Sequence, residues 1–166
     1  ITGLGVGQPI QLNKANNVLN FNLPVIFDSS EDLAETFRFN QNNQVMTFGA
    51  NHSLTLNDDL TVTSNSLANR LNLNGELKGD KNLILGTKSH SVFGSTYDGS
   101  NFGGNILIGG DNEVNITSNV ADNGTFLKSG SSLKVNGADE KTTINGVNTM
   151  KGNIAVSYTH LRAHET

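Results

Sequence analysis

Cysteine and tryptophan are absent from the 166 residues, and proline and methionine occur only twice each. Without cysteine the chain can form neither a disulfide framework nor a thiolate metal site. Charged residues make up 16% of the chain and the formal net charge is −4, which disfavours the basic patch that nucleic-acid binding uses. No apolar run approaches the roughly 18 residues of a transmembrane helix. We therefore expect no nucleic-acid partner and no membrane insertion of this segment.

Four small or polar residue types dominate the composition instead. Asparagine occurs 25 times, glycine 18, threonine 15 and serine 14, together 72 of the 166 residues. Leucine, isoleucine, valine and phenylalanine still total 46, about 28%, which is above the level typical of disordered chains. The composition therefore predicts an ordered protein with a thin core.

Short runs in which apolar and polar residues alternate recur along the chain, and they predict half-buried β-strands. Examples are residues 54–56, 71–73, 83–85, 106–108 and 133–135.

Turn residues separate these runs. Four Asn-Gly pairs tolerate turn conformations, and two-residue hairpins are one interpretation of them. They are Asn74-Gly75, Asn123-Gly124, Asn136-Gly137 and Asn145-Gly146. Helical periodicity is nearly absent. The exception is residues 28–37, where either a short capped helix or a solvated acidic loop is expected.

The chain also repeats itself. Residues 77–85 match residues 127–135 fifty positions later, and residues 104–108 match residues 152–156 forty-eight positions later. Strand clusters inside each copy recur about every 20–25 residues, as in solenoid repeats. One such unit cannot bury its apolar face alone, so neighbouring units must stack to form a core.

These features predict an all-β fold, a right-handed parallel β-helix (β-solenoid), with a β-sandwich or jelly roll as the alternative. Very short strands favour stacking, in which asparagines at equivalent turns form amide ladders. A sandwich more often has longer strands and aromatic core residues. The solenoid predicts that Lys134 faces outward and that six side chains are buried: Leu83, Leu85, Ile106, Ile108, Leu133 and Val135.

One segment resembles a known family motif. Residues 123–137, with residues 148–156 as the second half, resemble the autotransporter-associated β-strand repeat, and residues 75–86 with 101–108 form a weaker copy. The resemblance covers about residues 70–155. It implies a right-handed β-helix passenger that is exported to a bacterial surface by a C-terminal β-barrel, which this segment does not include.

The function expected from this resemblance is non-enzymatic. We expect residues 1–155 to form a passenger or adhesin scaffold, secreted or anchored at the outer membrane, whose partner is a host-surface, matrix or glycan ligand. The parent protein is expected to carry the barrel. Two alternatives stay open, a fragment of a carbohydrate-active β-helix enzyme and a trimeric fibre or spike segment. Acids and arginines converging on one face would indicate the enzyme, and an exposed apolar stripe on every turn would indicate the fibre.

We assign no catalytic, cofactor-binding or metal-binding residue from the sequence. The G-x-G-x-G of Gly3, Gly5 and Gly7 lacks the dinucleotide spacing. His52 and His90 stand apart from other candidate ligands or nucleophiles.

The remaining polar motifs have plainer interpretations. The carboxylates fall in turn-like segments, namely Asp28, Glu31, Asp32 and Glu35, then Asp58 and Asp59, then Asp139 and Glu140. Three glycosylation sequons begin at Asn51, Asn115 and Asn123, as many as chance predicts in so asparagine-rich a chain. Residues 109–112 resemble a single calcium-binding nonapeptide copy without its tandem neighbour.

The two ends differ from the rest. The chain begins at Ile1 with the strand pattern already running, so we expect a fragment of a longer protein. Residues 156–166 break the composition, and their back-translation resembles a transposase adapter of sequencing libraries. We therefore treat them as a non-native tail and give no function to His160 and His164, although their i, i+4 spacing could place two ligands on one helix face.

Overall fold

The computed structural model describes residues 10–28, 35–86, 88–109, 112–116, 126–136, 143–145 and 153–157. In this part of the chain all the regular structure is β-strand, and the strands, numbered along the chain, form three sheets that we call A, B and C. Every strand pairing is parallel.

Each of the first four turns gives one strand to each sheet, and the later described strands belong to sheets A and B. Sheet A contains β1 (Ile10–Leu12), β4 (Glu35–Phe39), β7 (Leu60–Ser64), β10 (Leu83–Leu85), β13 (Ile106–Ile108), β15 (Ser132–Asn136) and β17 (Asn153–Ser157). Sheet B contains β2 (Val18–Phe21), β5 (Val45–Phe48), β8 (Arg70–Leu73), β11 (His90–Phe93), β14 (Glu113–Ile116) and β16 (Thr143–Asn145). Sheet C contains β3 (Val25–Phe27), β6 (Ser53–Leu56), β9 (Glu76–Gly79) and β12 (Asp98–Phe102).

The chain therefore winds from A to B to C and back to A, which is a β-solenoid with four complete three-stranded turns in the described part. The expected β-helix is confirmed. Parallel strands need a long connection between partners, and here the other two sides of the turn supply it.

The period of the winding explains the internal repeat. Partner residues lie 27 positions apart from Ile10 to Phe37 and 23 apart from Leu60 to Leu83. Leu83 pairs with Ile106, which pairs in turn with Leu133. The fifty-residue match between residues 77–85 and 127–135 is thus two turns of the solenoid.

The core is a column of inward side chains that runs through the stack. Leu83, Leu85, Ile106, Ile108 and Leu133 are fully buried, as expected from the alternation. Val135 packs against this core but stays partly exposed. Lys134 lies on the outward position between Leu133 and Val135 and is half-buried.

Aromatic rings fill the core more than the sequence suggested. In the first two turns the rings of Phe21 and Phe48 stack at 4.7 Å, and Phe27 meets Phe37 edge to face at 4.9 Å. Such ring pairs stabilise a core beyond the area they bury. A solenoid with short strands can therefore hold large residues, because like residues occupy neighbouring turns.

The asparagine ladder predicted for equivalent turns is present where the chain enters sheet A. Asp59 accepts hydrogen bonds from the Asn82 side chain and from its backbone N–H, the latter at 2.7 Å. The Asn82 oxygen accepts from the Asn105 amide at 3.1 Å, and the Ser132 hydroxyl donates to the Asn105 oxygen at 2.7 Å. Four successive turns are thereby linked by side chains as well as by backbone.

A second polar column is buried where the chain enters sheet B. Its members are Gln44, Asn69, Ser89 and Asn112, each at most 2% exposed. The Asn69 oxygen accepts from the Gln44 N–H at 2.9 Å, and the Asn112 oxygen accepts from the Ser89 N–H at 2.7 Å. Buried polar groups are tolerated only when they are hydrogen-bonded, and this column satisfies that requirement in two pairs of neighbouring turns, Gln44 with Asn69 and Ser89 with Asn112.

Two local expectations need correction. Asn74-Gly75 is a corner between strands of different sheets rather than a hairpin, since the strands it joins do not pair with each other. Glu35–Phe39 is a strand, so a helix does not extend through Phe37, whose side chain points into the core. Residues 29–34 lie outside the described part of the chain.

The boundary that the sequence predicts at residue 155 stays a prediction. Strand β17 continues to Ser157, with Val156 paired to Val135 and Ser157 to Asn136. The rest of the tail, with His160 and His164, lies outside the described residues.

Candidate functional site

The corners between sheets B and C differ in length from turn to turn. Residues 49–52 form the corner in the second turn and residues 94–97 in the fourth, but only Asn74 and Gly75 form the corner in the third. Both long corners are closed by a backbone hydrogen bond, from His52 N–H to Gly49 O at 3.2 Å and from Tyr97 N–H to Gly94 O at 3.0 Å. The short corner between them leaves a notch in the surface.

Glycine is required at the floor of this notch. A Cβ atom on Gly75 would overlap the carbonyl oxygen of His52 and lie 2.5 Å from that of Gly49. The backbone is held there by its neighbours, because Glu76 N–H donates to His52 O at 3.1 Å and Asp98 N–H donates to Gly75 O at 3.3 Å. The short corner is therefore pressed closely against the long corner of the second turn.

The notch continues along sheet C as an open groove of about 420 Å³. Its volume lies within the roughly 300–1,000 Å³ that is common for small-molecule sites. The lining residues are Pro24, Ala50, Asn51, His52, Ser53, Glu76, Lys78, Thr96 and Asp98. We call this feature the corner groove.

The two carboxylates of the corner groove lie side by side, since Asp98 pairs with Glu76 in the register of sheet C. Glu76 contacts Lys78 Nζ at 2.8 Å and accepts from the Asn101 amide at 2.6 Å. Asp98 accepts from the backbone N–H of Ser100 at 2.9 Å and from its hydroxyl at 3.1 Å. Both acids are thus held in place by donors.

These contacts set the protonation of Glu76. Partial burial tends to raise its pKa, but the hydrogen bonds from Lys78 and Asn101 together with the Lys78 charge outweigh that effect. The pKa of Glu76 therefore lies below its ordinary value, and the group is a carboxylate at neutral pH.

The corner of residues 94–97, which forms one side of the corner groove, rests on an aromatic cluster. Tyr97 is 1% exposed, its ring lies 4.9 Å from that of Phe93, and its hydroxyl donates to Phe126 O at 3.2 Å. Burial, reinforced by the charge of Asp98, raises the pKa of Tyr97 far above its ordinary value. This tyrosine therefore supports the corner and is not available as an acid or base in the groove.

Sequence reasoning treated both histidines as isolated, and the structure places each beside polar groups of other turns. His52 lines the corner groove with Glu76 and Asp98. His90 lies on the outer face of sheet B, where its Nε2 is 2.8 Å from Asn115 Nδ2 and 3.8 Å from Glu113 Oε1.

The acids singled out from the sequence do not form this site. Asp59 belongs to the asparagine ladder, Asp58 is buried in the same turn, and Asp28 accepts from the Asn57 amide at 3.2 Å. Glu35 begins strand β4. Glu31, Asp32, Asp139 and Glu140 lie outside the described residues, as do Gly3, Gly5 and Gly7.

The other motifs have structural explanations where they are described. The Asn112 amide donates to Gly109 O at 2.8 Å, so this residue closes a corner. Of the sequon asparagines, Asn51 is exposed at the corner groove and Asn115 is bonded to its neighbours in sheet B, while Asn123 is outside the described part.

Sequence reasoning missed Glu76 and Asp98. The signal for them is their spacing of 22 positions, one turn of the solenoid, which becomes visible only when the turns are aligned on their strands. Within the described ranges, no cluster of three or more histidine, aspartate or glutamate side chains is placed to hold a metal ion. The same ranges contain no helix with the length and hydrophobicity to span a membrane.

No protein-family model, curated protein or solved structure matches this chain. The resemblance to the autotransporter-associated repeat therefore stays a prediction from the sequence.

Proposed function

We propose that this chain is a segment of a secreted or surface-exposed bacterial scaffold, a passenger or adhesin that performs no chemistry of its own. The observation that carries the proposal is the continuous stack, in which hydrogen bonds, polar ladders and core columns all run from turn to turn. Such a stack extends a polar surface in one direction, which suits display and repeated weak contacts.

The proposed location follows the motif resemblance. It places the segment outside the cell, anchored to the outer membrane through a C-terminal β-barrel elsewhere in the parent protein. The partner is a host-surface, matrix or glycan ligand.

The enzyme alternative draws support from the paired acids of the corner groove. Glycoside hydrolysis needs one protonated carboxyl group as general acid and a second as base or nucleophile. The lowered pKa of Glu76 and its contact with Lys78 oppose the acid role. The described arginines Arg38 and Arg70 lie on sheets A and B, away from the groove. These features favour a binding groove over a catalytic one.

The fibre alternative requires an apolar outward residue on every turn. Among the side chains that the structure describes in sheet A, the outward row through Ile84 is apolar at two successive turns and polar at three others. It consists of Thr36, Thr61, Ile84, Leu107 and Lys134. A row of this composition supports a solvated scaffold better than a face that packs in a trimeric fibre or spike.

The proposal is tested with beads coated with the full chain and presented to cell surfaces, matrix proteins and immobilised glycans, with a parallel turnover assay on neutral and acidic polysaccharides. We expect adhesion without turnover. Turnover that disappears in a Glu76→Gln, Asp98→Asn double variant but persists in Glu113→Gln, a control on sheet B, would replace the scaffold with the enzyme.

A further inference from the structure

We propose that the corner groove binds a neutral glycan, one or two sugar units of which lie between the corner of residues 49–52 and the corner of residues 94–97. This inference deepens the proposed scaffold function, on which it rests, by naming the site and the chemical class of the ligand. It starts from the one place where the otherwise regular surface of the described turns is interrupted by a short corner.

The lining combines donors and acceptors at close range. The carboxylates of Glu76 and Asp98 are acceptors, and the Lys78 ammonium is a donor with more hydrogens than its contact with Glu76 uses. His52 and Ser53 can each both donate and accept. A sugar ring carries hydroxyl groups that also do both, so it can match this mixture without leaving either kind unsatisfied.

The orientation of the acceptors is fixed in advance. Asn101 and Lys78 hold Glu76, and the turn of Ser100 holds Asp98, so neither carboxylate must be ordered when a ligand binds. Preorganised polar groups lower the entropic cost of binding. Pro24 and Ala50 add small apolar surfaces at the rim, against which the C–H groups of a sugar ring can pack.

The charge balance disfavours ionic ligands. A cation would have to compete with Lys78 for Glu76 and with the Ser100 donors for Asp98. An anion would approach two carboxylates, which repel it. A neutral, hydroxyl-rich ligand meets neither obstacle.

The groove is open and shallow, so each site is expected to bind weakly, with adhesion arising from many copies on one surface. The assay must therefore detect weak binding residue by residue. We would titrate the ¹⁵N-labelled full chain with maltotriose, cellotriose and chitotriose and follow the backbone amide shifts. Trilysine and trigalacturonic acid are the cationic and anionic probes.

The groove is blocked with Ala50→Arg, in which the long side chain fills the space beside Glu76 and Asp98. The matched control is Ala68→Arg, an exposed alanine in a corner between sheets A and B. His52→Ala is a second, milder change, in case the arginine disturbs the corner. We expect at least one neutral trisaccharide to shift the amides of Ser53, Glu76 and Asp98. Ala50→Arg should weaken that binding at least tenfold, and Ala68→Arg should leave it unchanged.

Three results would overturn the inference. They are no groove shifts with any neutral trisaccharide, groove shifts with trilysine or trigalacturonic acid alone, and equal weakening by both arginine variants. The bead assay separates this outcome from failure of the scaffold itself. If adhesion persists in Ala50→Arg, the scaffold function is supported and the corner groove is not its binding site. If the sugar binds but the beads do not adhere, the scaffold function is refuted and the binding site in the groove is supported.

Discussion

Replacing Asn69 with alanine tests how much the buried polar column stabilises the stack. The side chain is 1% exposed and links three groups. Its oxygen accepts from the Gln44 N–H at 2.9 Å, and its amide donates to Ser64 Oγ and Asn65 Oδ1 at 3.0 Å each.

The expected loss of stability depends on whether each former hydrogen-bond partner of Asn69 can find a new partner. Gln44 is 0% exposed, so its N–H would stay buried without an acceptor, which costs about 1–3 kcal/mol. Ser64 and Asn65 are more exposed and can turn to water. With a small cavity added, we expect a loss of about 2–3 kcal/mol, a large part of the roughly 5–15 kcal/mol that stabilises a typical domain.

The control is Asn72→Ala in the strand that follows. Asn72 points outward and makes one described side-chain hydrogen bond, to Thr47 Oγ1 at 3.2 Å, so its loss should be below about 1 kcal/mol. Urea unfolding followed by circular dichroism gives the midpoint and the slope for each variant. The slope matters because a stack can lose one turn without unfolding entirely. Equal losses in the two variants would refute the assigned role of the buried column.

Three further predictions concern single positions. Gly75→Ala should lower the melting temperature strongly, because the new methyl group would overlap backbone atoms. The control Gly103→Ala should be tolerated, because its methyl group would contact mainly the flexible end of a lysine side chain. Equal melting temperatures of the two variants would contradict the tight corner. Leu83→Asp should destabilise by several kcal/mol in urea, since it buries an unpaired charge, and the outward Ile84→Asp should be much milder; tolerance of both would contradict the strand assignment. Glu76→Gln should remove a small stabilisation, below about 1 kcal/mol. This stabilisation is present above the ordinary pKa of 4.5 and is lost as the pH falls through the lower pKa that Glu76 has in the folded protein. The unfolding curves of the variant and of the unchanged protein should therefore converge in acid.

Alternation and period were enough to predict the solenoid. Side chains at Leu83, Ile106 and Leu133 recur on the same inward position, and the same register brings Asn82 beside Asn105 in the ladder. Both features repeat chemically similar residues at similar spacing, so the sequence alone reveals them.

The buried column at the entry to sheet B was not foreseen, because its members differ chemically. All four residues occupy equivalent positions before strands of sheet B, but Gln44 and Ser89 differ in residue type from Asn69 and Asn112. What they share is the position before a strand and the need to satisfy a buried N–H, which becomes apparent only from the stacked backbone.

The corner groove could not be predicted for a related reason. It arises from a difference in corner length between neighbouring turns, and Asn74-Gly75 signals a turn without indicating which sheet the next strand will join. Local turn chemistry is the same for a hairpin and for a corner. Whether Asn74-Gly75 forms a hairpin or a corner is decided by the parallel pairing of strands between turns, which the turn residues do not encode.

The direction of the backbone hydrogen bonds has a mechanical consequence. In this winding they run between turns, along the axis of the stack, so a force applied along that axis loads each layer of bonds in tension rather than in shear. Turns should then detach one after another from a pulled end. Counted between partners in sheet A, such as Leu133 and Ile154 or Ile10 and Phe37, each detached turn would release 21 to 27 residues, or on the order of 70–95 Å of chain. A tether built this way lengthens in steps under load and keeps its remaining turns folded.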